Sequence, residues 1–504
     1  MNLFHKLWRR LKAPLDSLTA TPAFQRFEKY HQLEAADSKE DASKKGISTF
    51  SATCVVVNVV MGCGFLALPS SFASAGVVLG TMTLIIVTIL MTGTGFFEAE
   101  IMCRAEVVTK ARLQPNKYDQ LKRNLENEME IRRHAYPMVE LCEIFGSRRL
   151  KSFYTLAIVL FLFSAAWGYA SVFANAFAAY FPVPFLNDFK TCRDESECFG
   201  LYSFYILVFA IITVPMSLLE VKEQEAFQIF MTFMRFLLVV VMVGTTMHGT
   251  LTGKEVFGAT ADESLDHLSL FRFGGLWTTI PTCIFAQCLN TNIALVVHDM
   301  EDKKKLGTAL GWGMVITCLF YGLIACSVVL YFGAAVASSC NVNWESYHGG
   351  YPEGRPWWAS AISLFVVAFP AIDVMSIYPL NTLIMSQNLM AFVYHDRIDK
   401  AEEDDVIKLV FRLLCAVPPI LCAVAISNLL SIMDYAGATV CILSFIIPPY
   451  LNRLSIARVK DEFETTNAST RFSSCFSHKI PSNILIFTGW VLFVGIIIMT
   501  AKTG

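Results

Sequence analysis

The amino-acid sequence predicts an all-α polytopic membrane protein, and three observations carry that expectation. Of its 504 residues, 55% are hydrophobic and 16% charged, where an ordinary soluble domain carries about 25% charged residues. Many apolar runs approach 20 residues, the length at which a helix crosses the ~30 Å hydrocarbon core of a bilayer. Lys and Arg crowd into alternate connections, the asymmetry that orients a chain in a membrane. The runs lack the ~10-residue alternation of barrel strands, so the spans are expected to be helices.

About eleven spans are expected, at roughly 48–70, 77–103, 151–181, 200–219, 226–249, 275–298, 307–333, 357–394, 406–427, 430–451 and 482–501. Residues 1–46 are expected to form a polar head and 47–504 one integral membrane domain; no cleavable signal peptide is expected. The head opens "MNLFHKLWRRLKAPL", with Leu3, Phe4, Leu7, Trp8 and Leu11 on one helical face and four basic residues elsewhere. That pattern suits a short interfacial helix on anionic lipid, or a loose basic tail. Residues 31–46 read as disordered. The connection 106–135 is charged with helical stretches, and "YPMVELCEIFG" (136–146) reads as an amphipathic helix on the inner surface.

With the N-terminus cytoplasmic, 33 of the 40 Lys and Arg fall on the inner side, six on the outer side, and Arg235 within span 5. An odd number of spans puts the C-terminus outside. The sequon Asn467-Ala468-Ser469 then lies in an inner loop, where it meets no glycosylation machinery. Most of the fifteen cysteines fall within spans; Cys192, Cys198 and Cys340 fall in outer loops. An oxidising exterior permits one disulfide there. Cys192–Cys198 is the shortest closure, either could pair with Cys340, and free thiols are the alternative.

"NVVMGCGFLALPSSFASAG", from Asn58 to Gly76, interrupts span 1 with Gly62, Cys63 and Gly64, and Pro69 follows. Non-helical backbone is tolerated at membrane depth where it lines a cavity or is buried in protein. Such a break frees amides at the positive end of the second half-helix for a carboxylate, and carbonyls for a cation. Glycine lets a ligand approach the backbone closely; the competing explanation is helix packing through small residues. Span 6 carries Gln287, Asn290, Thr291 and Asn292 between two apolar halves. These residues suit a second unwound segment, or hydrogen bonds between helices. Spans 1 and 6 are five apart, so the breaks fall at corresponding places in a five-plus-five inverted repeat, which points to a binding site.

The order Asn58, Gly62, Gly64, Pro69, Gly76 resembles the first span of the amino acid/auxin permease family. "YPMVELCEIFG", "VPMSLLE" (214–220), "IPTCIFAQC" (280–288) and "GATVCILSFIIPPYL" (437–451) resemble its later landmarks in the same order. The resemblance covers about 48–455. It implies a leucine-transporter-type fold and secondary transport of amino acids driven by a proton or sodium gradient, H+ or Na+ being the coupling ion. Asn58 resembles the span 1 Asn beside the cation in sodium-coupled members. This chain departs where many members carry a span 6 His, here Asn290. It departs again in span 8, "FPAIDVMSIYP", where members carry Thr or Ser and this chain has Asp373 and Ser376. It is therefore similar to a divergent branch.

Asp373 lies at the middle of an apolar span, where a charge must face a cavity, bind a cation or be protonated. Asn58, Asp373 and Ser376 are the candidate coupling-ion residues. Gly62, Cys63, Gly64, Gln287, Asn290, Thr291 and Asn292 are the candidate substrate residues. Arg235 needs a carboxylate, such as Glu98 or Glu100 of span 2. Asp434 opens span 10, as a helix-terminal complement or an outer gate. The expected partners are an amino acid and the lipid bilayer, not nucleic acid; the membrane is the plasma membrane or a lysosomal or vacuolar one. An amino-acid sensor of the same fold is the alternative. A channel lacks a selectivity filter, and an enzyme lacks a Gly-rich phosphate loop or a metal-spaced His/Cys cluster.

Overall fold

A computed structural model describes residues 47–131, 136–183, 199–218, 225–253, 255–257, 269–351, 354–394, 404–426 and 428–503. The head, Cys192 and Cys198 lie outside the described residues. Among the described residues there is no β-strand, only a single bridge between Ile47 and Met300. Nine helices among the described residues are long and apolar enough to cross a membrane: Val77–Leu113 (span 2), Arg148–Tyr180 (span 3), Phe199–Leu218 (span 4), Glu225–Thr252 (span 5), Leu306–Phe332 (span 7), Trp357–Tyr394 (span 8), Asp405–Ala425 (span 9), Leu429–Phe463 (span 10) and Lys479–Thr503 (span 11).

Two further segments are interrupted, and the first, taken as one bent span, brings the helices long and apolar enough to cross to ten among the described residues, against the eleven spans expected. Span 1 runs as Thr49–Val60 (1a) and Leu68–Ala75 (1b), joined through a 3-10 turn at Cys63–Leu66 and bent by 59°. Span 6 runs as Leu276–Ala286 (6a) and Ile293–Asp299 (6b), with residues 287–292 between. Local chemistry sets these limits. Ser48 caps 1a, its Oγ accepting from the Ser51 amide at 3.2 Å, the bond that an N-cap serine supplies to an otherwise unpaired donor. Gly76 turns the chain between 1b and span 2 at φ 89°, a left-handed conformation open to glycine. A Cβ there would also meet the Leu270 carbonyl at 2.6 Å.

Spans 2 and 10 run well past their apolar stretches, to Leu113 and Phe463, because charge pairs replace lipid contact there. Lys110 pairs with Glu128 at 3.0 Å and Arg458 with Glu462 at 2.9 Å. The same end of the bundle carries the short helices Tyr118–Arg123, Leu125–Glu128 and the amphipathic Met138–Phe145. Arg104, only 1% exposed, fastens spans 2 and 10 there. It donates to Glu100 (2.6 Å), Asn452 (2.5 Å), Ser455 (3.1 Å) and the Ala468 carbonyl (2.9 Å). At the other end the turn Cys340–Ser346 is buried, and Trp344 donates to Thr245 at 3.0 Å. Cys340 within it is a buried free thiol.

Glycine contacts hold each broken span against a long one. A Cβ on Gly313 of span 7 would lie 2.4 Å from Val56 of 1a, and one on Gly437 of span 10 would lie 2.4 Å from the Pro281 carbonyl of 6a. Span 10 itself widens into a π-helix at Cys441–Ile446. Pro448 and Pro449 follow it and supply no N–H to the carbonyls one turn back.

Candidate functional site

The two interruptions meet at one side chain. Tyr321 of span 7 is fully buried and directs its hydroxyl at the Val60 carbonyl (2.9 Å) and the Ala286 carbonyl (3.2 Å). These are the last residues of 1a and 6a, so one phenol proton is shared between carbonyls at the ends of both helices, and the Val60 carbonyl also accepts from the Gly62 amide at 2.8 Å. In an apolar interior such groups need a partner, because an unpaired one costs several kcal/mol. Sequence reasoning missed Tyr321. The signal available was a tyrosine inside an apolar span, whose hydroxyl must find a bond when buried.

The glycines divide into two roles. Gly62 has an extended backbone (φ −87°, ψ −158°), starts the 3-10 turn with no side-chain cap, and has open space where a Cβ would go. It borders a void of about 10 Å3 shared with Phe65, Arg235, Phe369 and Asp373, room for about one water. Gly64 instead packs on 6a, where a Cβ would sit 2.9 Å from the Ala286 Cα. Cys63 lies between them and is described by its backbone alone.

Arg235 corrects the expected pairing. It reaches neither Glu98 nor Glu100 but forms a two-point bond with Asp373, Nε to Oδ2 at 2.8 Å and Nη2 to Oδ1 at 3.0 Å. Its Nη1 donates to Asn58 Oδ1 at 2.8 Å. Spans 1, 5 and 8 are thus joined by one guanidinium standing between Asn58 and Asp373. Ser376 lies one turn on, its hydroxyl donating to the Asp373 carbonyl at 2.7 Å. The reason for the correction is geometric: Glu100 already belongs to Arg104, and Glu98 faces span 6. From sequence, the polar residues of spans 5 and 8 gave no register for this meeting.

The polar residues of span 6 turn mostly toward span 2. Gln287 donates to Thr88 at 3.0 Å, and its buried Oε1 has no hydrogen-bond partner among the described residues. Asn290 donates to Glu98 Oε1 at 2.9 Å and accepts from Thr94 at 3.1 Å. Thr291 and Asn292 are half-buried and bond to each other at 2.9 Å. The structure therefore brings Gly62, Asn58 and Asp373 together around Arg235, leaves Ser376 bonded within its own helix, and gathers Gln287 and Asn290 on the neighbouring face of span 2. No cluster of three or more His, Cys, Asp and Glu side chains placed to hold a metal occurs among the described residues.

A polytopic helical bundle with two interrupted spans, each releasing backbone groups inside the protein, defines the architecture of a membrane transporter. The chain matches the family model described as transmembrane amino acid transporter protein over residues 45–500, and it belongs to that family. Distant relatives include human transmembrane protein 104, 19% identical over 461 residues, with 80% of this chain and 86% of the relative covered. The Drosophila melanogaster homologue is 18% identical over 491 residues, covering 87% and 92%. The Dictyostelium discoideum homologue is 22% identical over 493 residues, covering 86% and 93%.

Proposed function

We propose that this protein is a secondary active transporter of amino acids. The substrate carboxylate is held by backbone amides at the break of span 1, beside Gly62. Its ammonium group faces the carbonyls released at 1a and 6a and the unpaired Oε1 of Gln287. The observation that carries this reading is the meeting of both breaks at the Tyr321 hydroxyl, which makes them one polar locus inside an apolar bundle. The void beside Gly62 is smaller than an amino acid, so spans 1 and 6 must part from spans 5 and 8 to load it.

The driving ion on this reading is the proton rather than sodium. A sodium ion between spans 1 and 8 would have to share Asn58 and Asp373 with the guanidinium of Arg235, and like charges at contact distance repel strongly in a poorly polarisable interior. The head faces the cytoplasm, as the distribution of Lys and Arg supports, in the plasma membrane or a lysosomal or vacuolar membrane. A sensor of the same fold is the second reading. It is favoured by the clamp that Arg235 places on spans 1, 5 and 8, which suits a protein that closes on a ligand without turning over.

Uptake by reconstituted proteoliposomes from a pool of amino acids, with proton and sodium gradients imposed separately, tests the proposal. Accumulation driven by the proton gradient is expected. Saturable binding without uptake would replace the transporter with the sensor, and accumulation that requires sodium would overturn the choice of ion.

A further inference from the structure

The buried carboxylates of spans 2 and 8 do not have equivalent surroundings. Glu100 is paired with Arg104, Glu106 lies 3.6 Å from Lys110, and Asp373 is held at two points by Arg235. Glu98 is 1% exposed, and no basic side chain among the described residues pairs with it. Its hydrogen bond comes from the neutral Asn290 amide. The titratable groups that sense it electrostatically are Cys142 of the helix Met138–Phe145, Tyr154 of span 3 and Cys288 in the break of span 6. An ionised carboxylate in such surroundings has no counter-charge, and its desolvation is offset by one amide.

Position gives that lone carboxyl a consequence. Asn290 lies in the interruption between 6a and 6b, and it accepts from Thr94 while donating to Glu98. Span 2 therefore holds the unwound segment of span 6 through the Asn290 amide, read from both sides, beside the bond from Gln287 to Thr88. A charged Glu98 accepts only, and strengthens the Asn290 bond. A neutral Glu98 acquires a donor of its own, which weakens that bond and can turn toward a backbone carbonyl of the break. The charge state of Glu98 thus sets the part of the grip of span 2 on span 6 that passes through Asn290.

We propose that Glu98 is a proton-binding site of this protein, and that its proton switches the hold of span 2 on the unwound part of span 6 through Asn290. The proton is taken from water onto Oε2, since Oε1 accepts from Asn290, and it returns to water when the carboxylate reforms. This deepens the transporter reading and rests on it only for the claim that the proton is coupled to amino acid movement; Asp373, already paired with Arg235, stays outside the exchange.

Infrared difference spectroscopy of the purified full chain, between acid and alkaline buffers, reads the proton without any need for transport. A carboxylic acid band that shifts in heavy water is expected, absent in Glu98→Gln and retained in Asp434→Asn. In Asn290→Ala the band should move in frequency but persist, which keeps the assignment testable if Glu98→Gln does not fold. A band unchanged in both Glu98→Gln and Asn290→Ala, or one lost only in Asp434→Asn, overturns the proposal. In proteoliposomes, Glu98→Gln should exchange amino acid across the membrane yet lose accumulation under a proton gradient. If the unaltered protein moves no amino acid, the transporter reading fails while the infrared result still decides Glu98.

Discussion

The guanidinium of Arg235 and the carboxylate of Asp373 face each other as a two-point pair, at 2.8 and 3.0 Å, and both side chains are nearly excluded from solvent. Arginine presents its donors in a rigid fork that matches a carboxylate, and lysine does not. The pair occupies the junction of spans 1, 5 and 8, so its first effect is on the closed packing of the bundle. Asp373→Asn leaves a buried guanidinium without its counter-charge, and about 3–5 kcal/mol of stability should be lost. Arg235→Met combined with Asp373→Leu removes both charges and should regain most of that stability. Thermal unfolding in detergent checks both, and an undiminished Tm in Asp373→Asn would mean that the pair carries no stability.

Tyr321→Phe removes the hydroxyl that serves both the Val60 and Ala286 carbonyls. The Val60 carbonyl keeps the Gly62 amide at 2.8 Å, so the Ala286 carbonyl is the acceptor left unpaired, and one buried unpaired acceptor costs about 1–3 kcal/mol. The variant should be less stable by about that amount and should bind substrate more weakly, because the two breaks lose their common partner. Binding isotherms and melting curves on the same preparation test this. Full stability and full affinity together would mean that the hydroxyl is redundant.

The two glycines of the span 1 break should behave differently. Gly62→Val adds bulk where nothing lies within 4 Å, so the protein should fold and lose ligand binding. Gly64→Val drives its side chain into the Ala286 backbone, 2.9 Å from the first added carbon. It should fold poorly with or without ligand. Gel filtration separates folded from aggregated protein, and a calorimetric titration reports binding. Unaltered binding in Gly62→Val would remove that backbone from the proposed substrate site.

Asn467 should carry no glycan. Its side-chain amide donates to Glu126 at 3.1 Å, and its oxygen accepts from the Ser469 amide at 3.0 Å. The sequon is folded against the charged connection after span 2, on the side where Lys and Arg are concentrated. An unchanged mass after glycosidase treatment is expected, and a shift assigned to Asn467 would reverse the proposed orientation.

The sequence by itself determined the crossings and their interruptions, because each is written in short-range chemistry. Apolar runs of membrane length fix where the chain spans. Gly62, Gly64 and Pro69 mark one break, and Gln287 to Asn292 mark the other, since unpaired backbone and clustered amides both need special surroundings in lipid. Span limits differed mainly at the far ends of spans 2 and 10, where Lys110 with Glu128 and Arg458 with Glu462 carry the helices beyond their apolar runs. Only the tertiary structure decided who meets whom. Hydropathy fixes the depth of a residue but not its rotation about the helix or the neighbour it faces. From sequence Arg235 is therefore assigned a carboxylate of span 2, such as Glu98 or Glu100, and only the packing of spans 1, 5 and 8 places Asp373 and Asn58 at its two edges. The same packing left Glu98 with Asn290 as its hydrogen-bond partner among the described residues, and it set Tyr321, fifteen residues into span 7, against the ends of both broken helices.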